Sequence, residues 1–100
     1  MGTQTTDMAA AARRAPAERP VPAAKVERAI QRLRTNIGRN LLRIRSEQQM
    51  SQRALAEKAN ISQTYISQIE TLKAKHSLGI ELIAALAVAL DVSPTDLVAD

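Results

Sequence analysis

Leu55-Ala56-Glu57-Lys58-Ala59-Asn60-Ile61-Ser62-Gln63-Thr64-Tyr65-Ile66-Ser67-Gln68-Ile69-Glu70 decides the reading of this chain. Leu55, Ala56 and Ala59 fall on one helical face, and Asn60 follows at the position where a helix ends in left-handed backbone, which Asn tolerates second only to Gly. Ser62 is placed to cap a second helix running to about Thr71, with Tyr65, Ile66 and Ile69 packed and Gln63, Thr64, Ser67 and Gln68 outside. Small hydroxyls and carboxamides near the start of a helix, on a basic protein, suit the donor and acceptor pattern of base edges in a DNA major groove.

Upstream, Ser51 is a plausible N-cap with Gln52 at the first helical position. Before it, Val26, Ile30, Leu33 and Ile37 are spaced four, three and four residues apart, and Leu41, Leu42 and Ile44 extend the pattern. Thr35 or Asn36 is a candidate cap for a fresh helix, and Gly38 weakens continuity. The spacing therefore predicts either two helices, about 24–34 and 36–48, or one bent helix. The stretch 24–34 has an apolar face of its own, which implies packing on the domain or on a second subunit.

Downstream, Leu72 to Leu78 reads as a basic loop, and Gly79 or Ser77 starts a helix from Ile80 to about Leu90. That helix is apolar nearly all round, more than a small monomeric domain easily buries. Ser93-Pro94-Thr95-Asp96 combines a cap, a Pro at the first helical position and an acid three residues past the cap, predicting a last short helix ending near Val98.

The chain has 100 residues, 45% of them apolar, with Tyr65 its one aromatic and no Cys. This composition suits packed helices and excludes disulfides and cysteine-bound metals. His76 has no second His beside it and reads as a solvated loop residue, so no metal site or cofactor is expected. No nucleophile–base pair, phosphate-cradling loop or pair of acids forms a catalytic constellation, and an enzyme is not expected. The net charge of +4 hides a division. Residues 1–77 hold all fourteen Lys and Arg against six acids, whereas residues 78–100 hold four acids and no base. One end of the molecule is suited to a polyanion and the other is not.

Residues 1–22 hold three of the four prolines and almost no large apolar side chain, which predicts a disordered arm. Arg13, Arg14 and Arg19 give that arm the means to touch phosphate or a minor groove; the alternative is a dispensable tail. The N-terminus lacks an apolar signal region, and the nine-residue apolar run Leu82–Leu90 is too short to span a bilayer. A cytoplasmic, nucleoid-associated protein with no membrane partner is expected.

From about Asn36 to Val98 the chain resembles the lambda repressor and Cro-like (Xre-type) helix-turn-helix domain. The shared residues are Ile37-Gly38, Leu41, Ile44-Arg45, Met50-Ser51-Gln52, Leu55-Ala56, Ile61-Ser62, Tyr65-Ile66-Ser67, Ile69-Glu70 and Leu86-Ala87 to Leu90. The resemblance implies an all-α, five-helix DNA-binding domain over residues 36–100, here preceded by a helical extension at 23–35 and the arm at 1–22. It implies that Gln63, Thr64, Ser67 and Gln68 meet base edges, that Gln52 at the start of the second helix holds a phosphate, and that Arg45 pairs structurally with Glu70. Arg39, Arg43, Arg53, Thr71, Lys73 and Lys75 flank the motif as candidate phosphate contacts. Two departures from the family pattern stand out. The loop after Glu70, where a Gly and then Asn-Pro are usual, is about two residues longer, and the minimal domain lacks the helical stretch before Ile37.

The expected function is a sequence-specific transcriptional regulator, a repressor that binds double-stranded DNA at a palindromic operator as a homodimer. The alternatives are an antitoxin-type autoregulator that also holds a partner protein, and an interaction adaptor that does not bind DNA.

Overall fold

A computed structural model of the chain describes residues 20–75 and 77–100. The expectations for residues 1–19 and for His76 lie outside the described residues. Five helices are present among them and no strands: α1 (Ala23–Glu47), α2 (Gln52–Ala59), α3 (Gln63–Glu70), α4 (Ile80–Leu90) and α5 (Pro94–Val98). The architecture is the all-α, five-helix arrangement predicted from the sequence.

The 25-residue α1 is one helix, running through the 35–36 boundary where a fresh start was one option. Asn36 caps nothing: its side-chain amide donates to the Val98 carbonyl at 3.2 Å and to Asp100 Oδ1 at 2.7 Å. One turn on, the Asn40 amide donates to the carbonyls of Leu97 and Ala99 at 2.9 and 2.7 Å. Arg32, one turn earlier, forks onto the Asp100 carboxylate at 2.9 and 2.6 Å. This ladder of three polar residues straps the segment after α5 along α1, and the Asp100 carboxyl is held below the usual carboxylate range chiefly by the Arg32 hydrogen bond, with Asn36 contributing.

Gly38 sustains α1 for a tertiary reason. A Cβ there would stand 2.5 Å from the Ile69 carbonyl oxygen and 2.8 Å from Leu72 Cδ2, so the bare backbone is what lets α1 lie against the end of α3. The core collects Ile37, Leu41 and Ile44 of α1, Leu55 and Ala56 of α2, Ile66 and Ile69 of α3, Leu86, Ala87, Ala89 and Leu90 of α4, and Leu97 of α5. Helix α1 packs on α3 and α5, α2 on α3 and α4, and α4 on α5. The N-terminal half of α1 is different: Val26, Ile30 and Leu33 remain 42%, 37% and 47% exposed. Leu42, read as extending the apolar face, is exposed as well.

Helix ends follow local chemistry. Ser93 and Asp96 form a reciprocal capping box with Pro94 behind it at the start of α5. Gly79 precedes α4 without a side-chain cap bond. Asn60 ends α2 at φ 58°, as expected, and left-handed residues also follow or end α1, α3 and α4 at Gln49, Leu72 and Asp91. None of these is glycine.

Candidate nucleic-acid interface

Two serine caps set the motif. Ser51 Oγ accepts from the Ala54 amide at 2.9 Å and Ser62 Oγ from the Tyr65 amide at 3.0 Å, each satisfying a donor at a helix start. The turn between α2 and α3 is closed by the Ile61 amide donating to the Ala56 carbonyl at 3.0 Å. With both starts fixed, burial of Ile66 and Ile69 sets how α3 is rotated about its axis. Gln63 and Thr64 are then exposed, and Ser67 and Gln68 half-buried on the same outer side.

The end of α3 is held by one carboxylate. Glu70 Oε2 accepts from Arg45 Nε at 2.8 Å, while Oε1 accepts from Arg45 Nη2 and Gln52 Nε2, both at 2.9 Å. Arg45 Nη1 also donates to the Met50 carbonyl at 2.8 Å. Glu70 is 3% and Arg45 14% exposed, so this fork joins α1, α2 and α3 largely away from water. The Glu70 hydrogen bond raises the Arg45 pKa above its ordinary value against the opposing effect of desolvation. Gln52, read as a phosphate ligand, thus has one amide hydrogen engaged inside the protein.

The other predicted phosphate residues divide by place. Lys73 and Lys75 are exposed in the loop directly after α3. Thr71 ends α3, its hydroxyl donating to the Ser67 carbonyl at 2.7 Å. Arg53, on α2 beside Gln52, forms an exposed pair with Glu57 at 3.3 Å. Arg43 pairs with Glu47 at 2.8 Å and borders a surface hollow shared with Gln48, Val92 and Asp96 at the α4–α5 junction. Arg39, one turn before Arg43, shares that face of α1. Both arginines are exposed. Gln52, Arg53, Gln63, Thr64, Ser67, Gln68, Thr71, Lys73 and Lys75 lie on α2, on α3 and in the loop directly after α3.

Like Arg32, Asn40 and Asp100, Arg34 is a polar residue whose role was not read in the sequence. Arg34 donates from Nη1 to the Ala74 carbonyl at 3.0 Å, across a separation of 40 residues. No local signal announces such a contact. Among the described residues no cluster of three acids or histidines forms a metal site, and no helix is long and apolar enough to cross a membrane.

Two capped short helices, the second buried on one side and polar on the other, define a DNA-binding regulator of the helix-turn-helix class. The helix-turn-helix family model matches residues 41–97, more than half of the sequence, and the chain belongs to this family, in its lambda repressor and Xre-like form. The crystal structure of the restriction-modification controller protein C.AhdI from Aeromonas hydrophila is similar at a TM-score of 0.58 and 28% identity, over 64% of this chain and 94% of that one. No curated protein matches the sequence.

Proposed function

We propose that the chain is a sequence-specific repressor of transcription that binds a palindromic operator as a homodimer. The observation that carries specificity is the outer side of α3, where four neutral hydrogen-bonding residues and no Lys or Arg stand ready for base edges. An uncharged reading helix needs its affinity from Gln52, Arg53, Thr71, Lys73 and Lys75 around it, and from a second half-site about one DNA turn away. Large exposed apolar side chains supply material for self-association: Ile80 and Val88 on α4 are 83% and 79% exposed. The likeness to C.AhdI favours a second reading, in which the genes controlled belong to a restriction–modification system.

Selection of binding sites from random DNA, with light scattering of the free and bound protein, tests the proposal. The expected result is one enriched inverted repeat bound by two copies. A single unrepeated site occupied by a monomer rejects the dimer and the palindrome. Gln63→Ala or Gln68→Ala is expected to cost about 1–3 kcal/mol on the selected site and to relax one base position. Lys73→Ala is expected to weaken all duplexes alike and to lower the salt slope by about one unit. Repression follows if a reporter carrying the site falls in expression when the protein is supplied; a rise identifies an activator.

A further inference from the structure

The longer loop after α3 and the extra N-terminal turns of α1, two separate departures in the sequence, meet in space. On leaving α3 the chain turns through Leu72 in the left-handed region at φ 62°, where a bulky side chain persists only if its surroundings hold it. The Lys73 and Ala74 amides both donate to the Gln68 carbonyl, at 2.7 and 3.1 Å, closing the end of the recognition helix. The reversed segment then lies on α1 at three points. Leu72 reaches the bare backbone of Gly38, the Ala74 carbonyl accepts from the Arg34 guanidinium at 3.0 Å, and Leu78 shares a groove of about 300 Å³ with Ile30, Leu33 and Arg34. Ala74 is half-buried at the middle anchor, while Lys73 and Lys75 on either side are exposed.

We propose that Arg34 is a positioning residue for DNA binding: by gripping the Ala74 carbonyl it fixes the loop so that Lys73 and Lys75 are held ready for the phosphate backbone. The inference rests on the reading of these two lysines as phosphate contacts. A loose loop loses conformational freedom when its lysines dock, and that loss subtracts from affinity; a loop ordered beforehand avoids it. The grip comes from a charged donor in a partly buried place, where such a bond is stronger than a neutral one. The family match begins at residue 41, so the residue that orders the loop stands outside the matched domain. The N-terminal half of α1 therefore serves DNA binding without touching DNA.

The test uses the full chain, a duplex selected by the wild type and an unrelated duplex of equal length. Arg34→Met keeps the aliphatic stem and removes the donor. It is expected to weaken both duplexes by about three- to tenfold and to lower the slope of log affinity against log salt by about one to two units, the share of two phosphate contacts. Arg34→Lys, which retains a cationic donor, is expected to recover part of the loss and serves in place of Arg34→Met if that variant does not fold. In a Lys73→Ala, Lys75→Ala background Arg34→Met is expected to add no further loss, since it acts through those lysines. Additive losses, or an unchanged salt slope, overturn the proposal.

Amide exchange without DNA gives an independent measure. The Lys73 and Ala74 amides are expected to exchange at least about tenfold faster in Arg34→Met, while those of Ile66 and Ile69 keep their protection. Unchanged exchange at residues 73 and 74 overturns the brace whatever the DNA result. A wild type that binds neither duplex at low salt overturns the DNA reading and this role for Arg34 with it, and the exchange data then separate that failure from failure of the brace.

Discussion

The two halves of α1 carry the same apolar spacing and meet opposite fates. Ile37, Leu41 and Ile44 are at most 6% exposed, whereas Val26, Ile30 and Leu33 on the same helix keep 37–47% of their surface in water. Periodicity identifies the face of a helix that prefers not to be wet; it does not say what covers that face. In the C-terminal half the cover is α3 and α5. In the N-terminal half it is Leu72, Ala74 and Leu78 on one flank and the strap after α5 on the other, neither broad enough to exclude solvent.

Substitutions in the two halves should therefore separate cleanly. Leu41→Ala is expected to cost about 2–5 kcal/mol in denaturant unfolding because it empties the centre of the core. Glu70→Gln leaves the Arg45 charge without its counter-ion at a site nearly closed to water, and a loss of about 3 kcal/mol is expected in the same measurement. A change below about 0.5 kcal/mol there would mean that solvent screens the pair.

Gly38→Ala follows. Overpacking costs about 1–3 kcal/mol, and the better helix propensity of Ala returns about 1 kcal/mol at most. The clash is with a backbone oxygen that cannot rotate away, which puts the cost toward the upper end, and a net loss of about 1–2 kcal/mol is expected. Stabilisation would show that α1 and α3 can move apart freely.

Leu33→Ala, the counterpart of Leu41→Ala in the exposed half, is expected to cost about 1 kcal/mol or less in dilute protein. A loss equal to that of Leu41→Ala would erase the distinction between the halves. The smallest expected effect is at the strap. Because the folded Asp100 pKa is depressed, its contribution is present above the ordinary value of 3.8 and is lost as pH falls through the lower folded value. Carboxyl NMR titration should give a midpoint below 3.8 that moves back up in Arg32→Gln. A midpoint at or above 3.8 in the wild type would mean that the strap is open in solution.

What was legible in the sequence was what neighbours in the chain decide. Ser51, Ser62 and Ser93-Pro94 announce helix starts by their own side chains, and Asn60 announces an end, so α2, α3 and α5 could be bounded residue by residue. The outward set on α3 followed from the inward one. What was not legible depends on partners far along the chain. Gly38 reads as a weak point in a helix until the Ile69 carbonyl is placed against it. Asn36 reads as a cap until Val98 and Asp100 lie within reach, 62 and 64 residues away. Arg34 is one arginine among many until Ala74 comes under it. Arg43 is one more candidate phosphate residue until its i,i+4 neighbour Glu47 is placed 2.8 Å from it.

The side chains of Gln63 and Thr64 make no hydrogen bond to the rest of the protein among the described residues, while a few positions on, Glu70 ties three helices together. On the proposed reading, recognition and architecture are written in different letters of the same short helix. On that reading, a lineage carrying this scaffold is redirected to new target sites by changing a handful of codons, without rebuilding the frame that presents them.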